Sequence, residues 1–149
     1  MESIVANADL NLIFAFKLAL SFLVGLAIGI ERESRGKDAG ISTHSLVIMG
    51  SMLFTVLSMN ADVTSTSRIA AQVVTGIGFL GAGLILKEGT SVRNLTTAAS
   101  LWFAAAIGMA IGFEFYIPAI LSTLVGILVL RIPHITEIHG PTHTENPPQ

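Results

Sequence analysis

The chain has no cysteine and little charge. Without cysteine there is no disulfide framework, no thiol nucleophile and no thiolate metal site. Only 12% of its 149 residues are charged, against roughly 25% in a soluble domain. The net charge of -2 predicts no nucleic-acid partner. No basic stretch and no small-residue cleavage site accompany the first apolar run, so it reads as a retained helix, not a cleaved signal. Serine, threonine and histidine occur without a GxSxG, HExxH or phosphate-loop pattern, which points away from an enzyme.

What is present is apolar sequence. Hydrophobic residues make up 52% of the chain, and mean hydropathy is +0.73. Apolar runs reach the roughly 20 residues a bilayer requires. The pattern predicts an all-α membrane protein, a multi-pass bundle of five transmembrane helices at about 10–30, 44–59, 68–86, 96–111 and 115–130. Residues 1–9 precede the bundle, the membrane domain covers 10–132, and the polar, proline-rich stretch 133–149 reads as a disordered tail. Membrane lipid is the first partner such a chain implies.

Small residues recur at helical spacing. Ser21, Gly25 and Gly29 form one ladder, and Ser100, Ala104, Gly108 and Gly112 another. Such ladders let helix backbones approach closely, within one chain or between copies in a homo-oligomer. The third helix has two small faces: Ala71, Thr75, Gly78 and Ala82 on one, Gln72, Gly76, Phe79 and Gly83 on the other. With Gly81, these glycines predict that helix 3 is the middle of the bundle and that Gly78→Leu breaks its packing. Lys17 falls on the small face of helix 1. Its expected role is to snorkel toward the near interface, with an ion pair to Glu114 as the sharper alternative.

Lysine and arginine set the orientation. Arg32, Arg35, Lys37, Lys87, Arg93 and Arg131 gather at one end, leaving Arg68 at the other. This predicts the amino terminus outside and the carboxyl terminus inside. Arg93 precedes helix 4, where Thr96 or Thr97 can cap. Free N–H groups beside an arginine make an anion site; the plainer reading is basic loops touching lipid headgroups. The candidate functional surface is Glu31, Arg32, Glu33, Arg93, Thr96 and Thr97, and Arg93→Ala is expected to impair function while leaving the fold intact.

A cation site is less well supported. Magnesium prefers octahedral oxygen, but Glu31 and Glu33 point to different helix faces, while Asp62 and Glu114 stand alone. No acid lies deep within a span, which argues against a conventional cation pathway. His134, His139 and His143 fall in the tail and read as solvated. The expectation is no metal and no cofactor.

The blocks ERE-x3-K-x-AGI-x-TH, RIAAQVVTGIGFLGAGLILKEG and VRNLTTAASLW closely resemble the membrane domain of the MgtC/SapB family. The resemblance extends from helix 1 to helix 5. It implies a bacterial inner-membrane protein with a role in growth under magnesium limitation and, in pathogens, in virulence through survival inside macrophages. The mechanism it implies is regulatory, acting on the membrane sector of the F-type ATP synthase and so on ATP level and membrane potential. A transporter or channel for Mg²⁺ or phosphate is the alternative. Two features depart from the family pattern. Many members carry a carboxyl-terminal domain resembling ligand-binding ACT domains, where this sequence ends in a short tail. Asn94 stands where the family often has glycine, which would alter the turn into helix 4.

Overall fold

The computed structural model describes residues 2–61, 65–89 and 91–132. These form five helices and one short hairpin. They are α1 (Glu2–Ser34), α2 (Ile41–Ala61), α3 (Arg68–Leu84), β1 (Leu86–Glu88), β2 (Ser91–Arg93), α4 (Leu95–Gly112) and α5 (Tyr116–Arg131). The tail with its three histidines, and Asp62, lie outside the described residues. Three helical stretches are long and apolar enough to cross a membrane: Leu10–Ser34, Ile41–Ala61 and Leu95–Gly112. α3 and α5 are shorter apolar helices of 17 and 16 residues.

The turns follow from a few residues. α1 ends in a paired hydrogen-bond motif, Lys37 N–H to Arg32 carbonyl at 3.1 Å and Gly36 N–H to Glu33 carbonyl at 3.0 Å. That motif needs a left-handed residue, and Gly36 supplies it at φ +62. α4 ends the same way, with Phe115 N–H on the Ala110 carbonyl at 2.8 Å. There the left-handed residue is Glu114, at φ 69, which a side chain makes costly by about 1–2 kcal/mol. Pro118 sits in the first turn of α5, where its missing donor has no intrahelical partner to lose.

α2 and α4 form the central pair. Ile48, Met52 and Thr55 of α2 and Ala104 and Ile111 of α4 are fully buried, and Val24 and Ile28 of α1 join the same cluster. Glycines mark where the backbones touch. A Cβ on Gly108 would collide with the Ile48 carbonyl, and one on Gly112 would lie 2.7 Å from Thr55 Cγ2. On α1, Gly25 abuts the Ser45 backbone and Gly29 the Ile41 backbone. These four contacts draw α1, α2 and α4 together.

α3 does not occupy the middle of the bundle. Its buried residues are Ala70, Ile77 and Gly81, a narrow stripe facing its neighbours. Gly81 comes near Ala98, with 3.8 Å between the Cβ positions, whereas Gly76, Gly78 and Gly83 have nothing within 4 Å of a Cβ. Phe79 is 81% exposed. Glycine spacing reports what a helix surface permits, not what lies against it. The expectation for Gly78→Leu is corrected accordingly: the added side chain enters open space.

Two further expectations change. Lys17 is buried and does not snorkel; its ammonium donates to Glu114 at 2.9 Å and to the Gly112 carbonyl at 3.1 Å. α1 extends past this level toward its amino terminus, and Leu10, Leu12 and Ile13 on it are exposed. The connection after α3, expected as plain loop, is an antiparallel hairpin pairing Leu86 with Arg93 and Glu88 with Ser91. At the start of α2, the Ile41 N–H donates to the Glu33 carboxylate at 3.1 Å.

Candidate functional site

The end of the bundle where α1 finishes and α4 begins holds two buried charged side chains, Glu31 and Arg32. Arg32 lies in the last turn of α1 and is 1% exposed. The helix runs on through Ser34, so this arginine turns into the bundle and not into a loop. Its terminal nitrogen reaches Thr97 Oγ1 at 3.4 Å, a long contact. Glu31 is buried beside it, 3.8 Å from the Arg32 guanidinium. Arg35 Nε approaches Glu31 Oε1 at 2.7 Å, but off line, so both Glu31 oxygens lack a directed hydrogen bond. Arg35 also donates to the Arg131 carbonyl at the end of α5, at 3.4 Å.

A second layer lies just beneath. His44 sits fully buried on α2, its ring between the Gly40 carbonyl at 3.0 Å and Ser100 Oγ at 3.2 Å. Ser100 donates in turn to the Thr97 carbonyl at 2.7 Å. This chain of contacts fixes the first turn of α4 against α2. Buried polar groups hold position only when partnered, so the layer sets where Thr97 presents its hydroxyl.

α4 begins in an unusual way. Asn94 takes the left-handed conformation, φ 64, and its side chain does not cap the helix. The carboxamide instead donates to Asp38 at 2.6 Å, linking the α1–α2 connection to the hairpin. Glycine favours the same conformation, so asparagine here makes the turn a glycine would make. The first-turn amides of a helix have no intrahelical acceptor, and neither Thr96 nor Thr97 caps them.

Between these elements opens a recess of about 600 Å³. Arg32, Arg35, Lys37, Asn94, Thr96 and Thr97 contribute its polar lining, and Val92, Leu95, Val129, Leu130 and Ile132 the apolar part. Among the described residues no acidic side chain lines it. The candidate surface is therefore divided. Arg32, Thr96 and Thr97 meet in the recess, and Glu31 lies behind it as a counter-charge. Glu33 is turned away and caps α2. Arg93 is on the hairpin, 65% exposed and 3.7 Å from Glu88, outside the recess lining. Arg35, Lys37 and Asn94 belong to the recess although the candidate surface omitted them. The signal available for Arg35 was its four-residue spacing from Glu31. Among the described residues no group of three or more histidine, cysteine, aspartate or glutamate side chains is placed to hold a metal.

Comparison with known proteins gives consistent results. The sequence profile of the MgtC family matches residues 18–138. The chain is 48% identical over 130 residues to the Escherichia coli K12 protein named "Putative magnesium transporter YhiD", covering 81% of this chain and 60% of that protein. It is 44% identical over 112 residues to the Salmonella typhimurium LT2 protein named MgtC, covering 75% and 48%. An uncharacterised Synechocystis protein is 43% identical over 134 residues, covering 86% and 56%. The chain thus spans about half to three fifths of the length of these relatives. No solved structure matches it.

Proposed function

This chain belongs to the MgtC family, and from that premise we propose that it is a regulatory protein of the bacterial inner membrane, supporting growth when magnesium is scarce. It acts by contact with another membrane complex, not by catalysis. The partner the family resemblance suggests is the membrane sector of the F-type ATP synthase, so the output is a change in ATP level and membrane potential; in a pathogen, the same output serves survival inside a host cell. The relatives named MgtC and YhiD support the magnesium connection.

The observation that carries the regulatory reading is the recess beside Arg32. An end built from buried arginine, exposed lysine and a helix amino terminus attracts anionic groups and repels a divalent cation. It suits a docking face better than a magnesium mouth. The excess of lysine and arginine at this end supports a cytoplasmic placement, with the amino terminus outside. The exposed glycines of α3 support a second, lateral contact, to lipid or to another copy of the chain.

Deletion and complementation test the reading. The deletion strain should grow poorly at low magnesium, and its inverted membrane vesicles should show altered synthase activity. Native-membrane pull-down should recover synthase subunits. Unchanged synthase activity with no subunit recovered removes the partner. A transport reading, of Mg²⁺ or phosphate, is favoured by the name given to YhiD. Purified protein in liposomes decides it: ion flux above that of empty vesicles supports transport, and folded but inert protein supports regulation.

A further inference from the structure

The recess holds more donor capacity than its walls use. A guanidinium carries five N–H donors, yet among the described residues Arg32, at 1% exposure, has one long contact to Thr97 and a Nε with no hydrogen-bond partner. Its 3.8 Å separation from Glu31 is too great for a hydrogen bond. Leaving such a group dry and unsatisfied is costly. The first-turn amides of α4 receive no side-chain cap from Asn94, whose carboxamide is turned to Asp38. Arg35 and Lys37 complete the rim.

We propose that this recess binds a phosphate group, held between the Arg32 guanidinium and the Leu95, Thr96 and Thr97 amides, with Arg35 and Lys37 at its mouth. The inference rests on the reading of this end as the functional face, but needs no partner complex. The donors favour a tetrahedral anion. Arginine presents a planar fork from one side and the helix presents N–H groups from another, so the anion must offer oxygens in several directions. A carboxylate offers two in one plane. The remaining wall, Val92, Leu95, Val129, Leu130 and Ile132, is apolar, and fits the organic part of a phosphate ester. Two sources share this chemistry: the headgroup of a phospholipid, and free phosphate or a soluble ester.

The test uses the full chain purified in dodecyl maltoside, a phosphate-free detergent. Thermal unfolding is followed while inorganic phosphate is added in one arm and dihexanoyl phosphatidylglycerol in the other, at constant ionic strength set with chloride. A saturable rise in Tm with phosphate supports the site with a soluble source; a rise with the lipid alone supports it with a headgroup source. Arg32→Lys keeps the charge but loses the fork, and should weaken apparent affinity by roughly ten-fold. Because Arg32 is buried, Lys37→Gln on the exposed rim provides an independent check, and should weaken it by about three-fold. Arg93→Gln, outside the recess, should change nothing. Lack of a saturable response to both probes, or equal affinity in wild type, Arg32→Lys and Lys37→Gln, overturns the proposal. Phosphate binding with unchanged synthase activity leaves it standing and removes the synthase reading; a synthase effect with no binding in either arm does the reverse.

Discussion

Gly108→Ala separates the two kinds of glycine in this bundle. A Cβ at residue 108 collides with the Ile48 carbonyl and lies 2.9 Å from Ser51 Cβ and 3.0 Å from the Ile48 carbonyl carbon. Carbon atoms settle at roughly 3.5–4.0 Å, so α2 and α4 must part by on the order of 0.5–1 Å. A gap of that size forfeits about a quarter to a half of each affected contact. The contacts at stake include Ile48 and Met52 against Ala104 and Ile111, all fully buried. In a bilayer, helices gain little from hiding apolar surface from lipid, so close packing carries the association. The expected loss is about 1–3 kcal/mol, the usual range for overpacking. Gly78→Ala is the matched control, since its Cβ meets nothing within 4 Å. It should fall within about 0.5 kcal/mol of wild type. Both are measured in detergent by reversible unfolding in sodium dodecyl sulfate, with Trp102 as the fluorescent reporter. Equal losses in the two variants would refute the argument, because the outer face of α3 would then have to be packed as tightly as the α2–α4 seam.

The Lys17–Glu114 pair spans a buried and a half-exposed group. A double-mutant cycle with Lys17→Met and Glu114→Gln should give a coupling of about 1 kcal/mol; a coupling near zero in the same unfolding assay removes the pair as a stabilising contact. Asn94→Gly keeps the left-handed turn and loses the bond to Asp38, while Asn94→Ala loses both, so alanine should be worse by about 1 kcal/mol in equilibrium unfolding. If the two match, backbone strain at residue 94 is not what matters. Glu33→Ala removes the carboxylate that accepts the Ile41 N–H, and should cost about 0.5–2 kcal/mol. Faster hydrogen exchange confined to the first turn of α2 would mark that loss, and unchanged exchange there would exclude the cap.

Much of the framework was readable from residue pattern alone. Apolar run length and the polar breaks located four helices within about three residues, whereas α1 begins eight residues before its expected start and runs four beyond its expected end. Gly25, Gly29, Gly108 and Gly112 stand at close contacts because a four-residue ladder keeps one helix face bare. The same ladder misled for α3, since Gly76, Gly78 and Gly83 carry the spacing without the neighbour. Partner choice was settled elsewhere, by the fit of Ile48 and Met52 against α4, which no periodicity encodes. The hairpin was missed because three-residue strands are too short to show alternation. At the site, Arg32, Thr96 and Thr97 were chosen from charge and helix position, and the structure brings them together. Arg93 was chosen for its nearness in sequence to α4, but β2 carries it away. The burial of Arg32 depended on α1 continuing through the ERES stretch, which Gly36 ends two residues after Ser34.

The overhang of α1 past Lys17 has a consequence for the surrounding lipid. From Lys17 to Arg32 is about 22 Å of helix, while the hydrocarbon slab is nearer 30 Å. With Arg32 level with the opposite surface, the turn at Glu114 is expected below the ordinary surface of its leaflet, so that headgroups and water dip to meet it. The expected outcome is a bilayer thinned around α4 and α5 and of full depth beside the apolar residues 10–16 of α1. Thick, stiff membranes oppose that dimple and thin ones welcome it, so lipid chain length becomes a variable to which this bundle responds.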